Sequence, residues 1–140
     1  MSLHTRLFGA FLCCAVLPGL AAAEGNRLTL ACAPLAPADA GSEETAPLPA
    51  SPGFLLAPVK TDRAGAGEIQ ATGPDGGPFA GVTASHTGPF AWTAGTVLNT
   101  LTVEGTTADG RTLVLWHRLD QAQAAVPPAG QLVKLICEVS

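Results

Sequence analysis

Leu, Val and Thr alternate with polar residues along most of this chain, and Gly, Pro or Asp interrupts the alternation at short intervals. In RLTLACA, Leu28, Leu30 and Cys32 share one parity, and in QLVKLICEV, Val133, Leu135, Cys137 and Val139 do the same. A period of two places each set on one face of an extended strand, so both cysteines are expected on buried faces. The segments FLLAPVK (54–60), EIQAT (68–72), FAGVTAS (79–85), PFAWT (89–93), TVLNTLTVEG (96–105) and RTLVLWHRLD (111–120) complete the series. Short, turn-punctuated strands rich in Thr, Val and Leu predict an all-β fold, a small antiparallel β-barrel or β-sandwich. QAQAA at 121–125 has room for one helical turn before Pro127 and Pro128 stop it.

Two hairpins can be placed in register. In TLTVEGTTADGRTLVLWH, Ala108-Asp109-Gly110 suits a type I turn with Gly110 left-handed. With Thr107 facing Arg111, Val103 meets Leu115 and Leu101 meets His117, while the other face pairs Thr102 with Trp116 and Glu104 with Val114. The first face, extended by Val97 and Leu113, is the expected core, with Trp116 lying across a half-exposed Thr-rich face. In GPFAGVTASHTGPFAW, residues 77–92, Ser85 and Gly88 take the first and fourth places of a type I turn. That sets Val82 opposite Trp92 and Ala84 opposite Phe90, with a slip of one residue open because Pro89 has no amide hydrogen.

The stretch between Cys32 and Phe54 breaks the pattern. Ala33–Gly53 carries five prolines and three acids and is expected to be a long, exposed loop. The first residues differ again: Arg6 precedes an apolar run from Leu7 to Leu17, and Ala21, Ala22 and Ala23 follow. This layout predicts a secretory signal peptide, residues 1–23, cleaved after Ala23. The run is too short to span a bilayer, and Cys13 and Cys14 lie inside it rather than at its end, which favours cleavage over lipid attachment. Residues 24–140 are then one β domain, secreted and periplasmic. Abundant Ala, Gly and Pro with little Lys points to a GC-rich, bacterial coding sequence.

Charge narrows the partners. After removal of Arg6 with the signal, six Lys and Arg face eleven Asp and Glu, so nucleic acid and anionic membrane surfaces are not expected partners, and no transmembrane segment is expected. Cleavage also leaves just two cysteines, Cys32 and Cys137, and in an exported chain such a pair predicts a disulfide tying the first strand to the last.

Candidate chemistry is sparse. With His4 removed, His86 and His117 remain, and no H-x-x-x-H, H-E-x-x-H or C-x-x-C spacing suggests a metal, so neither metal nor cofactor is expected. His117, expected on the apolar face near Asn99, reads first as a buried, hydrogen-bonded core residue and second as a tunable base. No Ser lies in G-x-S-x-G, and adjacency in sequence gives Ser85 and His86 no reason to meet as a dyad. The expected role is a binding or interaction module of the bacterial envelope. It would take a small molecule or envelope protein against a sheet face or barrel mouth, with Phe90, Trp92, Trp116 and His117 as candidate contacts. The rival readings are a small secreted hydrolase using His117 or His86 with a carboxylate, and an inhibitor or structural envelope protein presenting the 33–53 loop.

Overall fold

A computed structural model describes residues 27–35, 48–122 and 129–140. The expected signal segment, most of the 33–53 loop and most of QAQAA lie outside these residues. Eight strands follow one another in chain order: β1 (Leu28–Pro34), β2 (Gly53–Thr61), β3 (Gly67–Gly73), β4 (Gly76–Thr83), β5 (Phe90–Ala94), β6 (Val97–Thr106), β7 (Thr112–Asp120) and β8 (Ala129–Val139). Each pairs antiparallel with its neighbours in sequence, and β1 pairs with β8, so the sheet closes into a barrel and leaves no edge strand. Of barrel and sandwich, the chain forms the barrel.

Cys32 and Cys137 are direct partners across the β1–β8 seam and are joined as a disulfide. Both are buried, as their parity predicts. The bond therefore fastens the one ladder whose strands are distant in sequence.

The interior is built in rows that run from strand to strand. One row is Thr83, Phe90, Leu101, Trp116 and Val133 on β4 to β8; a second is Val103, Val114 and Leu135 on β6 to β8. An eight-stranded barrel is just wide enough for side chains to fill, so large residues on one side require small ones opposite. That balance is visible around Trp92. A methyl group on Gly81 would stand 2.6 Å from the Ala91 carbonyl oxygen and 3.1 Å from Trp92 Cβ, and one on Gly73 would stand 3.4 Å from the Trp92 ring. Phe54 meets Trp116 edge to face at a centroid distance of 5.1 Å and Trp92 at 6.2 Å, the arrangement that ring quadrupoles favour.

Both hairpin registers need correction. The 107–111 turn forms as the sequence predicts: the Thr107 amide donates to the Arg111 carbonyl at 2.7 Å, and Gly110 has φ 85°. Beyond it, however, Gly105 pairs with Leu113 while Val103 pairs with Val114, so Glu104 is an extra residue, a β-bulge. One inserted residue reverses which face of β7 meets the core face of β6. Trp116 thus pairs with Leu101 in the interior, fully buried, and His117 pairs with Thr100 on the outer surface, exposed. The expected burial of His117 and the expected half-exposure of Trp116 are both overturned by this bulge. In the other hairpin Gly81 faces Trp92 and Thr83 faces Phe90, one residue away from the pairing of Val82 with Trp92 and Ala84 with Phe90. The cause is Pro89: it has no N–H to give, so it closes the turn by accepting from the Ala84 amide at 3.2 Å.

Candidate functional site

At the barrel end formed by the β3–β4 and β5–β6 turns, the interior changes from apolar to polar. The row above Trp116 reads Gly81, Trp92, Asn99, Arg118 and Gln131 on β4 to β8. Alternation dictates this placement: Arg118 lies two residues beyond Trp116, and Gln131 two residues before Val133, so both share the inward parity.

Asn99 is engaged at both ends of its amide. Its Oδ1 accepts the Trp116 indole N–H at 3.0 Å, and its Nδ2 donates to the Val97 carbonyl at 3.4 Å. The partner of Asn99 is thus Trp116, and the expected place of His117 on the apolar face near Asn99 is taken by the indole. The Arg118 guanidinium lies over the Trp116 ring, 5.1 Å from its centroid, where the negative π face favours a cation. Its Nη2 donates to both oxygens of Asp75, each at 2.9 Å, from the β3–β4 turn. The side chain of Arg118 is 15% exposed and that of Asp75 33%, so the carboxylate caps the cation from the solvent side.

Two groups in this row are left over. Arg118 Nε, a donor, and Gln131 Oε1, an acceptor, are buried with no hydrogen-bond partner among the described residues. Buried polar atoms are nearly always paired, because an unmet donor or acceptor loses its water without compensation, at a cost of about 1–3 kcal/mol each. Arg118 and Gln131 are direct cross-strand partners, so the two unmet groups belong to neighbouring side chains.

Two concavities elsewhere on the barrel carry no such demand. A groove of about 610 Å³ opens across β1, β2 and β8, lined by small residues such as Ala31, Ala33 and Gly53, by Leu55 and Ile136, and by Arg111 and Glu138. At the opposite end of the barrel, a cavity of about 110 Å³ lies between Leu28, Ile69, Phe90 and His86. There the Thr83 hydroxyl donates to the Ser85 carbonyl and the Ser85 hydroxyl to the Gly88 carbonyl, both at 2.6 Å, so neither is free for chemistry. His86 Nε2 is 3.1 Å from the Arg63 carbonyl oxygen, and the His86 amide donates to Ala64; the residue fastens the β4–β5 turn to the β2–β3 loop. Among the described residues neither histidine ring is hydrogen-bonded to a carboxylate.

Of the candidate contacts, Phe90, Trp92 and Trp116 are interior residues, 4%, 3% and 0% exposed. A contact role for them required exposure, and burial removes it for any partner that stays outside the barrel. His117 stands alone on the outer face, and Cys32 and Cys137 form the seam. Arg118, Gln131 and Asp75 were not singled out as site residues by sequence reasoning. The signal that finds the first two is a polar residue at inward parity beside Trp116 and Val133; for Gln131 it follows from the parity of Val133, Leu135 and Cys137, and for Arg118 it becomes readable only once the bulge at Glu104 is placed. Comparison with family models, curated proteins and solved structures returned no match to this chain.

Proposed function

We propose that this chain is an exported binding module of the bacterial envelope that takes a small polar molecule, or a polar group of a larger partner, at the Arg118–Gln131 end of its barrel. One observation carries the reading: two buried groups on adjacent side chains, one donor and one acceptor, lack partners among the described residues. A bound group supplying one acceptor and one donor would complete both hydrogen bonds at once. The disulfide is consistent with an oxidising compartment.

The test is to produce the protein in an oxidising compartment, purify it gently and examine it by native mass spectrometry. The expected result is a retained small mass that is lost in Gln131→Leu. A bare wild-type protein whose crystal structure shows Arg118 Nε bonded directly to Gln131 Oε1 would end the reading.

A further inference from the structure

The arrangement around Arg118 is specific enough to name a ligand class. A guanidinium presents its best face to a carboxylate along the edge carrying Nε and one Nη, where two parallel N–H bonds meet two oxygens. Asp75 does not use that edge. Both of its oxygens converge on Nη2 alone, and Nε is left buried and unpartnered. The Trp116 ring bounds one side of the guanidinium, its centroid 5.1 Å from Cζ. Asp75 is therefore an incomplete partner for the cation it caps.

Gln131 Oε1 sets the second requirement. It is an acceptor on a residue 6% exposed, adjacent to Arg118 across the β7–β8 ladder. A carboxylate oxygen placed there would meet another acceptor, so the ligand atom facing Gln131 must carry a hydrogen. Asn99 has its Oδ1 on the Trp116 indole and one Nδ2 hydrogen on the Val97 carbonyl; its second N–H would only add a donor for the carboxylate and leaves the requirement set by Gln131 unchanged. Resting on the binding reading above, we propose that the polar end of the barrel takes a carboxylate bearing an adjacent hydroxyl or ammonium group, and that Asp75 holds the carboxylate's place in its absence. The ligand carboxylate takes Arg118 Nε and Nη2, its neighbouring O–H or N–H donates to Gln131 Oε1, and Asp75 swings out to water. The exposure of Asp75 and the open space around Gly76 in the same turn, where an added methyl would touch nothing within 4 Å, give it somewhere to go.

The experiment is an NMR titration of the oxidised protein with three probes: glycolate, which has both features, acetate, which lacks the hydroxyl, and ethylene glycol, which lacks the charge. The Arg118 Nε–H and Gln131 side-chain amide signals report on the site, and the Trp116 indole N–H, bonded to Asn99, reports that the fold is intact. In Asp75→Ala, glycolate is expected to shift both site signals saturably. It should bind about ten-fold more tightly than acetate, and about ten-fold more tightly than it binds wild type, the effect of one charge-assisted hydrogen bond gained or one competitor removed. Gln131→Leu should reduce glycolate to the acetate level, and Arg118→Lys, which keeps the charge but lacks the fork, should weaken both acids. Equal glycolate affinity in wild type and Asp75→Ala, or equal affinity for acetate and glycolate, overturns the proposal. Shifts caused by ethylene glycol but not by glycolate overturn the ligand class and leave the binding site standing. Silence to all three probes in a folded Asp75→Ala variant overturns both.

Discussion

The Trp116 indole donates to Asn99 Oδ1 across the β6–β7 ladder, and neither residue is open to solvent. The bond joins the apolar middle of the barrel to its polar end. Removing the acceptor strands a buried N–H, so Asn99→Ala should cost about 2–3 kcal/mol in chemical denaturation. In a Trp116→Phe background the same substitution should cost about 1 kcal/mol less, since no donor remains to be stranded. Equal costs in the two backgrounds would mean that the bond contributes nothing of its own.

The seam disulfide closes a long loop, with Cys32 and Cys137 separated by 105 positions. In the chain-entropy picture such a cross-link is worth about 4–5 kcal/mol, acting mainly by restricting the unfolded chain. Replacing both cysteines by Ala should lower stability by up to that amount. It should also steepen the urea dependence, because the unfolded chain without the link exposes more surface. A reductant should reproduce both effects in the wild type and neither in the variant.

Two strand glycines should respond in opposite ways. At Gly81 a Cβ would collide with the Ala91 carbonyl oxygen at 2.6 Å, and backbone cannot yield as a side chain can. Gly81→Ala is expected to cost about 2 kcal/mol or more in thermal or urea unfolding. At Gly105 a Cβ would meet nothing within 4 Å, and the backbone there is not left-handed. Gly105→Ala should be neutral or stabilising by about 0.5–1 kcal/mol, through the lower entropy of the unfolded chain.

At the tip of the β6–β7 hairpin, the Thr107 hydroxyl, followed by the Arg111 guanidinium, holds the Asp109 carboxyl below its ordinary value of 3.8. A depressed folded-state value means that the contact favours the fold above the ordinary carboxylate pKa, and that this contribution disappears as pH falls through the folded value. A carboxyl-carbon NMR titration should place the Asp109 midpoint below 3.8. Thr107→Val should raise it further than Arg111→Gln, since the hydroxyl is the larger cause.

The strands were legible because short alternating stretches are bounded by Gly, Pro or Asp, and the disulfide because both cysteines share parity with apolar neighbours. What sequence reading missed sits at single inserted residues. Glu104 looks like any other outward residue of an alternating strand, yet as a bulge it exchanges Trp116 for His117 in the interior. Nothing local marks it, because the register shift between Val103 and Gly105 is a property of the pairing with β7 and not of the β6 sequence itself. The same exchange hid the polar row. With His117 read on the core face, Arg118 falls at the outward parity, whereas it is an inward cation lying over a buried indole. Asp75 lies in the β3–β4 turn; that its carboxylate reaches Arg118, 43 positions along the chain, depends on the closure of the barrel.

Seven of the eight ladders join strands that are consecutive in the chain, and the β1–β8 seam alone demands that distant segments find each other. Searching for that contact costs conformational entropy before any of its hydrogen bonds are made, and contacts of this kind slow folding. An unfolded chain that keeps its cross-link has already completed that search. The Cys32–Cys137 bond is therefore expected to act on time as well as on depth: a protein denatured with the bond intact should regain its barrel faster than one that must first bring its two ends together.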